Sequence, residues 1–152
     1  MDDLGPDEVR VFIYGQLWWG LLDCLGACKF VFIPHSAAVL EPNDLVDLVN
    51  ASTGWDRSLW ALMKDSERAL NLARCFNMRE GFTVSDETLP DRFFGKLAFG
   101  QWKGSKVDGR QFDEALRLHY EMMGWDGDTE VSSAAKLHKL DLAWADPRSA
   151  RK

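Results

Sequence analysis

Cysteine and histidine, the residues that most often hold transition metals, are scarce in this chain of 152 residues, which contains three of each. The odd number of cysteines and the lack of a recognisable secretory signal indicate a reducing compartment and not a disulfide framework. We therefore expect a cytoplasmic protein. The histidines, His35, His119 and His138, are scattered along the sequence, so the chain cannot assemble a complete thiolate cluster by itself. Any metal centre has to take ligands from another segment or another chain.

A basic excess is also lacking, since the formal net charge is −6 and lysines and arginines are interleaved with acids. Nucleic-acid surfaces need clustered Lys and Arg, so we expect no nucleic-acid partner. The apolar stretch 11–33 is nearly long enough to span a membrane, but Gln16, Asp23 and Lys29 interrupt it. Because a carboxylate near the middle of a span is costly in lipid, we interpret the stretch as a buried core helix and expect no membrane association.

Strand alternation is missing, whereas helix signals occur along nearly the whole chain. Apolar periodicity, first-turn prolines and capping residues predict helices over 6–25, 42–53, 56–79, 108–123 and 133–140, with Asp56 as the cap of the third. We therefore predict an all-α fold, an irregular multi-helix bundle with a loop-rich segment around 81–109. The length suits one helical domain, placed at 1–144, with 145–152 as a flexible tail. Its core is expected to include Leu59, Leu62, Leu70, Phe112, Leu116 and Trp125.

Two of the predicted helices end in the same tripeptide, Gly-Trp-Asp, at residues 54–56 and 124–126. A glycine can leave a helix in the left-handed conformation, after which we expect the tryptophan to fold back on the last turn. The aspartate can then cap the next segment. The two corners suggest similarly built helical hairpins.

A carboxylate and a thiol flank a glycine in residues 23–28, which read Asp-Cys-Leu-Gly-Ala-Cys. On a continuous helix Asp23 and Cys28 would point about 140° apart. A left-handed Gly26 would instead end the helix and turn both side chains toward the same space. The corner is therefore either a ligand-binding site or part of a continuous helix on which Cys24 and Cys28 are small buried residues.

A second distinctive string, Arg-Cys-Phe-Asn-Met-Arg-Glu-Gly, occupies residues 74–81 at the end of the third predicted helix, and Leu-Pro-Asp-Arg follows at 89–92. An arginine on the helix face, with an asparagine and an Arg-Glu pair at the helix end, can bind an anion. These residues can equally lock the helix to its loop through ion pairs and caps. Both interpretations remain open from the residues alone.

These strings occur in one order that resembles the C-terminal part of the aldehyde ferredoxin oxidoreductases: Asp-x-x-Gly-x-Cys, Arg-x-Phe-Asn-x-Arg-Glu-Gly, Leu-Pro-x-Arg and, at 120–126, Tyr-x-x-x-Gly-Trp-Asp. The resemblance covers residues 17–142. It implies that Asp23 contacts one of two pterin cofactors that chelate tungsten or molybdenum, and that Cys28 is the last of the thiolates that hold a 4Fe–4S cluster. Gly26 matches the family, and Ala27 replaces its usual leucine at a position whose cofactor contact uses the backbone.

The resemblance further implies an enzyme that oxidises an aldehyde to a carboxylate and passes electrons through the cluster to ferredoxin. The family's N-terminal pterin domain, its Cys-x-x-Cys-x-x-x-Cys set and its catalytic glutamate and histidine have no match here, so no catalytic residue is assigned. We expect a fragment, truncated reading frame or separately encoded subunit that needs the missing N-terminal part or a partner subunit. Alone it should hold no cofactor and be inactive. The alternative is a free-standing helical interaction domain without cofactor.

Overall fold

A computed structural model of the protein describes residues 4–32, 40–127, 129 and 131–149. Within these residues the backbone forms five α-helices and no strand, apart from one isolated bridge between Trp125 and Ser132. The all-α prediction is confirmed. The helices are α1 (Pro6–Leu25), α2 (Pro42–Thr53), α3 (Leu59–Arg79), α4 (Gly109–Met123) and α5 (Ala134–Lys139), and short 3-10 turns lie at Lys29–Phe32, Val84–Asp86, Asp91–Phe93 and Ala143–Ala145.

Capping side chains explain where the last two helices begin. The Asp108 carboxylate accepts a hydrogen bond from the Gln111 backbone N–H at 3.1 Å, and α4 starts at the next residue. The Ser133 hydroxyl accepts one from the Lys136 N–H at 3.2 Å and caps α5 in the same way. Each bond satisfies an N–H that has no partner inside its helix.

The start of α3 corrects one prediction. Asp56 does not cap this helix. The cap is Ser58, whose hydroxyl accepts a hydrogen bond from the Ala61 N–H at 3.2 Å. The Asn50 side chain, in α2, bonds to both the N–H and the carbonyl of Arg57, each at 2.9 Å. These two bonds hold Arg57 outside the helix, so capping moves to the serine that comes after it.

Both Gly-Trp-Asp corners have the predicted left-handed glycine, with φ of 73° at Gly54 and 74° at Gly124. The tryptophans differ. Trp125 is buried and its ring lies 5.9 Å from that of Tyr120 in the last turn of α4, as predicted. Trp55 is 55% exposed, so it does not fold back, and the first corner is held by the bonds to Arg57 instead.

The described chain divides into two compact units. One is Tyr14–Ala73, which contains most of α1, all of α2 and most of α3. Its core consists of Leu21, Leu22, Leu45, Val49 and Leu62, against which Trp18, Trp19, Ala27 and Phe32 pack. The helices α1 and α3 approach closely at Gly20, where a Cβ atom would lie only 2.8 Å from the buried Ser66 hydroxyl.

The other unit combines Met1–Ile13 with Arg74–Lys152. One cluster of its core joins the end of α3 to the region around α5 through Cys75, Leu137, Leu140 and Leu142. Val9, Ile13, Tyr120, Met123 and Trp125 are buried as well. The loop-rich segment belongs to this unit and packs Phe94 edge-on against Phe112 of α4, with ring centroids 6.1 Å apart.

The predicted core is only partly correct. Leu62 and Trp125 are buried, whereas the other four residues, Leu59, Leu70, Phe112 and Leu116, are half-buried. The interpretation of the apolar stretch 11–33 as a buried core helix is correct only in part: α1 has the predicted bounds, but it is not buried along its whole length. The helix ends at Leu25, and Val11, Phe12 and Tyr14 are largely exposed. Apolar residues occur on all sides of α1, so periodicity alone does not show which side is buried.

Across the described ranges, none of the helices combines the length and apolar content that crossing a bilayer requires. Beyond α5 the chain forms the turn at Ala143–Ala145, and Pro147 is buried. The cytoplasmic location, the domain boundary at 144 and the flexible tail stay predictions.

Candidate functional site

The corner at residues 23–28 has the geometry of a glycine-terminated helix. Gly26 adopts a φ of 64° directly after the last residue of α1. The Gly26 N–H donates to the Asp23 carbonyl at 3.2 Å, and the Ala27 N–H donates to the Leu22 carbonyl at 2.9 Å. This pair of bonds is a Schellman motif, which satisfies the last carbonyls of the helix. The chain direction after the helix is therefore fixed by backbone bonds.

The two thiols of the corner are exposed, and the interpretation that a continuous helix buries them is wrong. Cys24 lies in the last turn of α1, and Cys28 follows the left-handed glycine. Cys75 is the buried cysteine, and burial raises the pKa of its thiol above the usual range. A thiol binds metal as the thiolate, so Cys28 is accessible for this chemistry while Cys75 belongs to the core.

Asp23 is exposed and its carboxylate accepts a hydrogen bond from the Lys29 ammonium at 2.9 Å. Lys29 begins the 3-10 turn after the corner, and its Nζ lies 6.0 Å from the centre of the Trp19 ring. Exposed ion pairs of this kind contribute at most about 1 kcal/mol. The ion pair positions the carboxylate. Because the pair is weak, another N–H donor can replace the lysine.

The backbone around Gly26 is open. Apart from its chain neighbours, no atom lies within 4 Å of the place where a Cβ would be at Gly26, while the Ala27 side chain packs inward on the core. A cavity of about 640 Å³ lies beside the corner, but it is lined by Cys24 and Leu25 and not by Asp23 or Cys28. The latter two face solvent on the outer side of the corner.

A donor count limits what the corner can bind. Among the residues that the structure describes, no group of three or more His, Cys, Asp or Glu side chains could hold a metal ion. A 4Fe–4S cluster needs four ligands, usually thiolates. Cys28 therefore fits a cluster as one ligand, and the described residues do not complete the ligand set.

The second string, residues 74–81, places Arg74 in a buried aromatic site. The side chain is 5% exposed, and its guanidinium carbon lies 4.7 Å from the centre of the Trp125 ring and 5.4 Å from that of Tyr120. Arg74 forms an ion pair with Glu87, and the Tyr120 hydroxyl donates to the other oxygen of the same carboxylate. For Arg74, the structure supports the ion-pair interpretation, since the group joins α3, the loop and α4.

His119 lies beside this group, with its ring 5.7 Å from that of Phe12 and 5.5 Å from that of Trp125. Burial lowers the pKa of the imidazole below its usual value; the Glu87 carboxylate acts in the opposite direction, and the Arg74 guanidinium lowers it further. The histidine is therefore held neutral at neutral pH. Its surroundings are aromatic, which makes it part of the core.

The C-terminal end of α3 is exposed to solvent, whereas Arg74 is buried. Arg79 forms an exposed ion pair with Glu80 at 3.1 Å, and Gly81 ends the helix with a φ of 93°.

Sequence reasoning missed Glu87, the partner of Arg74. A signal was present: no acid lies three or four residues from Arg74 in α3, so its counter-ion had to come from another segment.

Comparisons with known proteins agree with the resemblance that the sequence shows. Residues 2–142 match the family model described as "Aldehyde ferredoxin oxidoreductase, domains 2 & 3". The chain is 32% identical over 143 residues to a tungsten-containing aldehyde ferredoxin oxidoreductase of Pyrococcus furiosus, covering 93% of this chain and 22% of the relative. It is 33% identical to the enzyme of that name from Thermococcus kodakarensis over the same shares. The chain thus spans about a fifth of the length of these curated relatives.

Proposed function

Since the chain belongs to the aldehyde ferredoxin oxidoreductase family, we propose that it forms the helical C-terminal part of a tungsten- or molybdenum-pterin oxidoreductase. This enzyme converts an aldehyde to a carboxylate and transfers electrons to ferredoxin. The similar relatives are named as tungsten-containing enzymes, which supports the pterin metal. Because the chain spans 22% of those relatives, the N-terminal part or a partner subunit completes the enzyme.

The observation that carries the proposal is the accessible thiol of Cys28 at a rigid corner. The left-handed Gly26 turns the chain out of α1, and the thiol stands exposed two residues later. Iron in 4Fe–4S clusters is held by thiolate sulfur. Cys28 supplies one thiolate to the cluster, and the completing part of the enzyme supplies the rest.

Asp23 is proposed as the pterin contact. Its exposed carboxylate can accept hydrogen bonds from the neutral amine-bearing edge of a pterin after releasing Lys29. The backbone at Gly26 and Ala27 lies next to Asp23. A pterin can approach this backbone without a side-chain rearrangement, since no side chain crowds Gly26. When bound, the metal pterin supplies the oxidation chemistry and the cluster the electron transfer. The chain itself positions these groups, and no catalytic residue is assigned to it.

The proposal is tested by co-expressing the chain with the Pyrococcus furiosus relative from which the matching segment has been deleted. We expect a complex that contains iron and shows the electron paramagnetic resonance signal of a reduced 4Fe–4S cluster. Cys28→Ser should lower the iron content and weaken this signal. Cys24→Ser is the matched control, because it changes another exposed thiol of the same corner, and it should leave both unchanged.

Equal iron contents in the two variants, or a complex without a cluster in the wild type, would contradict the role of Cys28. The free-standing helical interaction domain would then be the better account of this chain.

A further inference from the structure

Residues 92–107, which we term the basic–aromatic loop, form a positively charged segment in an acidic protein. The loop contains Arg92, Lys96, Lys103 and Lys106 and no acid, whereas the whole chain has a net charge of −6. All four cationic side chains are exposed. The prediction that cations are interleaved with acids does not hold within this segment, which Asp91 and Asp108 flank directly.

The same loop exposes aromatic side chains. Phe99 is 84% exposed and Trp102 is 56% exposed, and Phe93 and Leu97 are 44% and 49% exposed. Single exposed apolar residues are common and need no explanation. Aromatic residues beside cations on one short segment are different, because aromatic side chains and arginine are enriched at protein interfaces, and tryptophan is enriched among the residues that contribute most to binding.

Backbone hydrogen bonds hold the loop in one conformation. The Leu97 N–H donates to the Ser105 carbonyl and the Gly104 N–H donates back to the Leu97 carbonyl, both at 2.9 Å. At the base of the loop the Val107 N–H donates to the Phe93 carbonyl, also at 2.9 Å. A preorganised loop loses little conformational entropy when it binds. Its aromatic and cationic side chains are thus presented from a fixed backbone.

We propose that the basic–aromatic loop is the docking surface for an acidic electron-accepting protein. This inference rests on the proposed function, in which electrons leave the enzyme on ferredoxin. Encounters between electron-transfer proteins use small interfaces, below about 1,200 Å², and opposite charges on the two surfaces accelerate them. A segment of sixteen residues with four exposed cations and three exposed aromatic rings has the size and charge for such a contact.

Charge also favours a compact acidic protein over a nucleic acid or an anionic membrane. These polyanions extend well beyond one loop and would meet the remainder of the chain, which is more acidic than its net charge of −6 because the loop itself is positive. At physiological salt the repulsion acts over about 8 Å. A compact protein with a small acidic patch can contact the loop alone.

The test measures binding of the full chain to a purified ferredoxin of acidic isoelectric point by isothermal titration calorimetry. We expect binding that weakens as salt is raised. Lys96→Glu with Lys103→Glu should raise the Kd at least about tenfold. The control, Arg117→Glu with Lys139→Glu, changes the net charge by the same amount at two exposed cations outside the loop and should leave the Kd within about twofold. Phe99→Ser with Trp102→Ser should also weaken binding at least about tenfold, with little change in its salt dependence.

Equal affinities of the two charge variants, or no binding by the wild type, would overturn the proposal. So would binding of the wild type to phosphatidylserine vesicles or to a single-stranded oligonucleotide that the Lys96→Glu, Lys103→Glu variant loses, since the loop would then serve a membrane or a nucleic acid. The measurement needs no cluster, so Cys28→Ser should bind ferredoxin as the wild type does. Failure of cluster assembly would thus refute the proposed function separately from the docking surface.

Discussion

Arg74 shows how one charge can be buried in this protein without a large loss of stability. Removing a guanidinium from water is costly unless its charge and its N–H groups find partners. Glu87 provides the opposite charge, and the rings of Tyr120 and Trp125 provide the cation–π contacts that suit a planar guanidinium. The group therefore depends on segments that are far apart in the sequence, and it fixes their arrangement within one unit.

We expect Arg74→Ala to lower the free energy of unfolding by about 3 kcal/mol, because it removes a buried guanidinium from two aromatic rings and leaves the partly buried Glu87 carboxylate with the Tyr120 hydroxyl but without its opposite charge. Arg79→Ala is the control on the same helix. Arg79 pairs with Glu80 at the surface, so its loss should cost less than about 1 kcal/mol. Urea unfolding followed by circular dichroism measures both values. Similar losses in the two variants would show that the Arg74 pair contributes no more than a surface ion pair.

Residues whose role depends on their immediate neighbours were predictable from the sequence, and residues whose partners lie far away were not. Gly26, Gly54 and Gly124 end their helices as predicted, because a left-handed cap is determined by a glycine and a few backbone bonds. Asp56 failed as a cap because Asn50, in the preceding helix, binds Arg57. Glu87 was missed for the same reason, since its contacts with α3 and α4 are non-local.

At the scale of one element, α1 contains two interior glycines with different surroundings. At Gly15, no atom other than its chain neighbours and the nearby backbone of α1 lies within 4 Å of the position that a Cβ would take. At Gly20 a Cβ would lie 2.8 Å from the Ser66 hydroxyl, which is buried and donates to the Leu17 carbonyl at 2.6 Å. The hydroxyl cannot move away without losing this bond. Gly20 therefore permits the close approach of α1 and α3, whereas Gly15 only weakens the helix.

Gly15→Ala should raise the free energy of unfolding by about 0.5 to 1 kcal/mol, since alanine is the better helix former. Gly20→Ala should lower it by about 1 to 3 kcal/mol through overpacking. Both are measured by urea unfolding. Adding Ser66→Ala to Gly20→Ala removes the atom that a new Cβ would meet and should recover part of the loss. If Gly20→Ala stabilised the protein as Gly15→Ala does, the close approach of the two helices would be refuted.

For the whole molecule, average composition conceals two local features that bear on function. The net charge of −6 hides the basic–aromatic loop, because acids elsewhere outnumber its cations. The fraction of hydrophobic residues, 46%, counts exposed side chains such as Phe12, Phe30 and Trp60 together with the core. Helix content could therefore be predicted from sequence pattern, but the exposed surfaces required the positions of the side chains.

The cysteine content of the whole chain sets the last prediction. A 4Fe–4S cluster needs four ligands, and this chain has three cysteines, of which Cys75 is buried in the core. Even if Cys24 joined Cys28, two ligands would be lacking. The full chain purified alone under anaerobic conditions should therefore contain far less than one cluster equivalent of iron and show no aldehyde oxidation with an artificial electron acceptor. The co-expressed complex, assayed in parallel, is the positive control. Stoichiometric iron, tungsten or turnover in the lone chain would show that its own residues complete the site, and the proposed need for a completing part would be wrong.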